Sequence, residues 1–294
     1  PTYTLTYHPN GDEVTSLPVD ENSYLEGSWI HVTEQGSLSR VGHTFVTWNA
    51  SPDGSGTTYS PGSDFRIGSD DIVLYAQWTV NQYDLVYSGN NQTTGTAPVG
   101  GTYDYRGNVS AAGQGDLAKD HHWFNGWNST SSGDGTHYQA NTDFAMPAHD
   151  LTLYADWRTN EHDLTYDSNG ATGGTAPETA TYAYDVTVTL PGPGDLVKTG
   201  HSFEGWNTAE DGSGTRYDPD SDLSMPDADL TLYADWRPNS HLVSYDANGG
   251  SNGGSPPLGD VWDYGDTVHV QDPGTMAREG HDFVAWNTES DGSG

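Results

Sequence analysis

Cysteine is absent from the 294 residues, which removes disulfides, thiolate metal sites and thiol catalysis together. Cations are nearly as scarce. Nine Lys and Arg stand against 42 Asp and Glu, giving a formal charge of −33, and only Lys119 and Lys198 are lysines. A surface this negative repels phosphate backbones and anionic lipid, which sets nucleic acid and anionic membranes aside as partners. No run approaches the roughly 18 apolar residues of a membrane-spanning helix, so no direct membrane insertion of that kind is expected. Hydrophobic residues make up only 32%, and low hydrophobicity with high net charge is the compositional signature of disorder. The aromatic content contradicts that signature, because 10 Trp, 18 Tyr and 6 Phe are far more than a disordered chain carries. The chain opens on Pro1-Thr2-Tyr3 with no signal peptide, as a mature form or a piece of something longer would.

An internal repeat resolves the conflict. Trp-Asn recurs at Trp48-Asn49, Trp127-Asn128, Trp206-Asn207 and Trp286-Asn287, with spacings of 79, 79 and 80. A second tryptophan recurs at Trp78, Trp157 and Trp236, and a tyrosine at Tyr7, Tyr87, Tyr166 and Tyr245. These landmarks divide the chain into domains at 1–79, 80–158, 159–237 and 238–294. The fourth domain stops before a counterpart of Leu230-Thr231-Leu232-Tyr233-Ala234-Asp235-Trp236. The expectation is either a cut from a longer array or completion by a strand from a neighbouring chain.

Within each domain, alternation such as Tyr3-Thr4-Leu5-Thr6-Tyr7 predicts half-buried strands, ending in turns such as Asn10-Gly11 and Asn169-Gly170. Asp195-Leu196-Val197-Lys198-Thr199-Gly200 and its counterparts predict one short helix, capped by Asp, Ser or Thr and stopped by Gly. The fold class expected is therefore α+β, mostly β, with at least four short strands and one short helix per domain. Linkers of about four residues, Arg158-Thr159-Asn160-Glu161 and Arg237-Pro238-Asn239-Ser240, predict an elongated, stiff rod.

The ordered blocks are a strand ending Tyr-Asp-x-Asn-Gly, then Gly-His-x-Phe-x-x-Trp-Asn, Asp-Gly-Ser-Gly-Thr, Met-Pro and Leu-Tyr-Ala-Asp-Trp. All five are met at matching spacing in the third domain. This pattern resembles the internalin-type B-repeat, also called the Listeria–Bacteroides repeat, over nearly the whole chain. Ile67-Gly68 replaces Met-Pro in the first domain, and the fourth lacks the last blocks. The resemblance implies tandem β-grasp-like (ubiquitin-like) domains in large bacterial surface proteins, an extracellular location, and a stalk or spacer role with no catalytic residues to transfer. The scarcity of lysine departs from lysine-rich members of that family and takes away a basic, polyanion-binding role.

Four residue sets invite a chemical reading. His43, His122, His201 and His281 recur, but no Ser or Cys nucleophile and no orienting Asp recurs with them, so packing outweighs acid–base catalysis. Arg40, Lys119, Lys198 and Arg278 precede them. Because two of the four are arginine, Lys–Asn isopeptide chemistry is not general to the repeat. Asp218, Asp220 and Asp222 place carboxylates at alternate positions, a donor set for weak Ca²⁺ binding, though without the Gly and twelfth-position Glu of an EF-hand loop. No cofactor is required by the pattern. Trp29, Trp123 and Trp262 lie outside the recurring tryptophans and are the candidates for a glycan or protein ligand. The leading expectation is a non-enzymatic stalk or filament segment, and the second is an adhesin-type binding module. Partners would be the chain itself, end to end or by a donated strand, or a cell-surface glycan or protein.

Overall fold

Alternating Leu, Tyr and Thr residues, joined by Asn-Gly turns, can bury one face only by pairing into sheets, and the computed structural model of the chain is all-β. It describes residues 1–250 and 253–294 and divides into two compact units, Pro1–Arg158 and Thr159–Gly294, each holding two of the sequence repeats.

The second and third repeats are built alike. In the third, the strand Leu230–Pro238 is central, pairing in parallel with Glu161–Asp167 and antiparallel with His201–Asn207. Ala180–Ala183 and Arg216–Tyr217 close the two edges of this five-stranded sheet. A two-stranded ribbon, Thr187–Thr189 with Asp222–Ser224, lies apart from it. The core sits between ribbon and sheet, where Val188 and Leu223 of the ribbon meet Leu164, Leu232, Ala234 and Trp206. The second repeat uses Leu151–Thr159 as its central strand and Asn108–Ser110 with Asp143–Ala145 as its ribbon. The first repeat adds a short strand, Val14–Thr15, paired with Ser39–Arg40.

The expected helix is absent among the described residues, and the α+β, β-grasp-like expectation is corrected accordingly. Only about five residues separate Pro193-Gly194 from Gly200, too few to offset the cost of nucleating a helix. Sheet pairing takes them instead. Val197 bridges Gly173, its N–H donating to the Gly173 carbonyl at 3.0 Å. Asp195, expected as a helix cap, accepts the Thr175 N–H at 3.0 Å and so fastens the loop twenty residues before it. Lys198, expected at a helix end, donates from Nζ to the Asn169 carbonyl at 3.2 Å.

Each recurring tryptophan pair is spent on the core. Trp48, Trp127 and Trp206 are fully buried. Their indole N–H groups donate to the carbonyls of Thr33, Ala112 and Pro191 at 3.3, 2.7 and 2.7 Å. Phe45, Phe124 and Phe203 pack edge-on against them, with centroids 5.2–5.3 Å apart. In the fourth repeat Trp286 keeps the same bond, to Gln271 at 2.7 Å, and the same ring partners, Tyr245 and Phe283. Phe283 is 44% exposed, against 8% for Phe45.

Candidate functional site

The four recurring histidines close tight hairpin corners and do not follow helices. Nδ1 of His43, His122, His201 and His281 lies 2.8, 2.6, 2.9 and 2.9 Å from the carbonyl two residues earlier, that of Val41, Asp120, Thr199 and Glu279. A carbonyl only accepts, so Nδ1 carries the proton in every copy. The ring is thereby oriented by the main chain, and no hydroxyl or carboxylate partner recurs with it.

Asparagine provides the recurring polar machinery. Asn49, Asn128 and Asn207 are at most 2% exposed, and each organises the Gly-rich loop that follows. Nδ2 of Asn207 donates to the Gly212 carbonyl at 3.0 Å while its Oδ1 accepts the Ala209 N–H at 2.9 Å. A second asparagine sits in the first turn of each repeat at positive φ. Asn10, Asn90 and Asn169 donate through Nδ2 to two carbonyls, one in the loop (Pro52, Ser131, Glu210) and one in the central strand (Ala76, Ala155, Ala234), at 2.8–3.0 Å. The sequence marked these residues as turn formers, because Asn tolerates the left-handed region. Their stapling of two distant segments depends on contacts |i−j| of 41–66 apart.

The carboxylates of Asp218 and Asp222 take separate partners. Arg216 donates to Asp218 at 3.0 Å, Asp220 occupies a turn at φ 60°, and Asp222 accepts the Thr189 hydroxyl at 2.8 Å. Among the described residues, no group of three or more His, Cys, Asp or Glu side chains is placed to hold a metal ion. The Gly-rich loops hold Asp53, Asp134, Asp211 and Asp291 below the usual carboxylate range. The cause is a Ser hydroxyl donating to each, from Ser55, Ser132, Ser213 and Ser293.

Trp29, Trp123 and Trp262 stand on three separate sheets. Trp29 is 62% exposed, with the Arg66 guanidinium 4.8 Å above its ring. Trp123 is half-exposed, whereas Trp262 is partly covered.

One position differs chemically between repeats. The hydroxyls of Tyr7, Tyr87 and Tyr245 accept the N–H of Thr33, Ala112 and Gln271 at 2.8, 2.9 and 3.0 Å. The third repeat places Pro191 there, which has no N–H. Burial pushes the Tyr166 phenol up to about 12, with a smaller rise from Tyr182. Burial also raises Tyr87, and the Ala112 N–H offsets part of that rise.

The Listeria–Bacteroides repeat domain matches four times in tandem, over residues 3–77, 83–156, 162–235 and 241–294. The chain belongs to the Listeria–Bacteroides repeat family. Its sequence is 35% identical over 288 residues to an Evansella cellulosilytica protein described as a Gly-rich membrane protein, covering 97% of this chain and 32% of that one. A second protein of that organism, described as a membrane protein, is 30% identical over 253 residues, covering 82% of this chain and 34% of its own length. Internalin H of Listeria monocytogenes is 33% identical over 123 residues, covering 42% of this chain and 20% of the internalin. The chain thus spans about a third of the length of the Evansella relatives. Among the described residues no helix is long and apolar enough to cross a membrane.

Proposed function

We propose that this Listeria–Bacteroides repeat array is a non-enzymatic structural spacer of an extracellular, cell-surface protein, holding other parts of that protein away from the cell. The observation that carries the reading is the use of the recurring polar side chains. In every repeat the corner histidine and the turn and loop asparagines are committed to main-chain groups of the same repeat, so what the repeat preserves is its own shape. The names of the relatives, membrane proteins and an internalin, agree with a surface setting. The acidic coat is spread over all four repeats, at −8, −5, −12 and −8, which favours solubility and mutual repulsion between arrays.

Small-angle scattering of the full chain at physiological salt tests this reading. A spacer gives an extended particle, and a compact one would refute it. A second reading, adhesion, is favoured by Trp29, a large aromatic left exposed on a folded surface beside a cation. Glycan-array binding that is lost on Trp29→Ala would support it, and an array blank for the wild-type chain would remove it.

A further inference from the structure

Each compact unit contains one junction between successive repeats, and the two junctions are built from equivalent atoms. In the first unit the strand Ile72–Val80 ends one repeat and Gln82–Ser88 begins the next, so Asn81 alone connects them. Its N–H donates to the Gly42 carbonyl of the repeat before at 2.9 Å, and its carbonyl accepts the Tyr105 N–H of the repeat after at 2.8 Å. The Thr44 hydroxyl donates to its Oδ1 at 2.6 Å. The Tyr105 ring stands edge-on to His43, with centroids 5.8 Å apart at 85°, and covers Gly42 so closely that a Cβ there would overlap it.

In the second unit Asn239 alone connects Leu230–Pro238 to Ser240–Val243. It donates to the Gly200 carbonyl at 2.8 Å and accepts from Tyr264 N–H at 2.9 Å and, on Oδ1, from Ser202 Oγ at 2.6 Å. Tyr264 stands edge-on to His201 at 5.8 Å and 71°, over Gly200. Gly42 and Gly200 lie at φ 67° and 69°, so glycine serves the corner twice, by its backbone and by the space it leaves for the tyrosine.

We infer that the Gly–His corner, the connecting Asn and the following Tyr form a repeat-to-repeat docking site that fixes the orientation of the second repeat of each unit on the first. A linker between domains normally leaves them free to move. Here the linker is one residue long, and its amide and carbonyl are each held by a different repeat. The aromatic is not needed to fold a repeat. By strand register, Glu26 occupies the position of Tyr105 in the first repeat, which builds its own core without it. At the Gly42 position the second repeat carries His121, also at positive φ, 60°. The inference deepens the spacer reading, because an array holds a distance only if its joints do not bend.

The test uses the full chain and exploits its lack of cysteine. Spin labels at Val46→Cys and Val86→Cys, two exposed strand positions on either side of the first junction, report one distance by pulsed dipolar spectroscopy. The unaltered junction should give a single narrow distance. Tyr105→Glu, which installs the residue the first repeat tolerates, should broaden the distribution about two-fold, with the near-ultraviolet dichroism of the chain's buried aromatic residues essentially unchanged. A distribution of the same width and position would overturn the lock. If Tyr105→Glu disturbs the core signals, Thr44→Val, which removes only the hydroxyl holding Asn81, decides in the same way: broadening supports the lock and an unchanged distance overturns it. A locked junction in a chain that scatters as a compact particle would refute the spacer and leave the lock standing. A mobile junction in an extended chain would do the reverse.

Discussion

Asn169 offers the sharpest test of the idea that side-chain staples hold these repeats together. Its Nδ2 donates to the carbonyls of Glu210 and Ala234, both at 2.9 Å, tying the first turn to the Gly-rich loop and to the fully buried centre of the middle strand. Its backbone lies at φ 46°, where Asn is tolerated and Ala is strained. Two lost hydrogen bonds at about 1 kcal/mol each put Asn169→Gly about 2 kcal/mol below wild type. Asn169→Ala adds about 1 kcal/mol of left-handed strain, for about 3 kcal/mol in total. Hydrogen exchange of the amides in residues 201–207 and 230–238, with the first repeat as internal reference, reads this directly. Asn169→Gly should accelerate exchange about 30-fold and Asn169→Ala a further fivefold or so, since about 1.4 kcal/mol is tenfold. An Asn169→Gly chain that exchanges at the wild-type rate would refute the reasoning. The asparagine would then serve only its own backbone conformation, and the distant bonds would add nothing.

Other consequences are checked more simply. Because folding holds the Tyr166 proton up to about 12, the unfolded chain releases its proton first. The contribution of Tyr166 is whole below about pH 10 and falls as pH rises toward 12. Pro191→Ala returns an N–H donor to that hydroxyl, and an alkaline absorbance titration should show the latest-ionising tyrosine move down; an unmoved titration would break the link. In the first repeat, Trp48→Ala should cost about 3–5 kcal/mol in urea unfolding, whereas Trp29→Ala, 62% exposed, should stay within about 0.5 kcal/mol of wild type. The 42 acids against 9 cations repel across a Debye length of about 10 Å at 0.1 M salt, so the melting temperature should climb as NaCl rises from low to high. A melting temperature indifferent to NaCl would contradict that repulsion.

Much of the architecture is written in residues that repeat. The period, the strand alternation, the buried Trp-Asn pair and the family are all legible from one-dimensional spacing, because burial on a sheet face demands the same residue types at the same intervals. The segment around Leu196 carries helix-end residues, Asp, Lys and Gly, yet forms no helix. Their actual partners, Thr175 N–H and the Asn169 carbonyl, lie 20 and 29 residues away.

The same limit explains the first-turn asparagines. Sequence shows that they recur, and local chemistry permits a turn, but the carbonyls that they reach, 41 to 66 residues away, come within about 3 Å only once the sheet has formed. Nor could spacing reveal why Gly42 and Gly200 are glycine, since half of the reason is a tyrosine in the next repeat. The repeat, its apolar faces and its charge follow from residue type and interval alone. That the expected helix is a sheet-bound loop, and that the connecting residue is held from both sides, follows only from the folded chain, because hydrogen-bond partners are chosen by proximity in space.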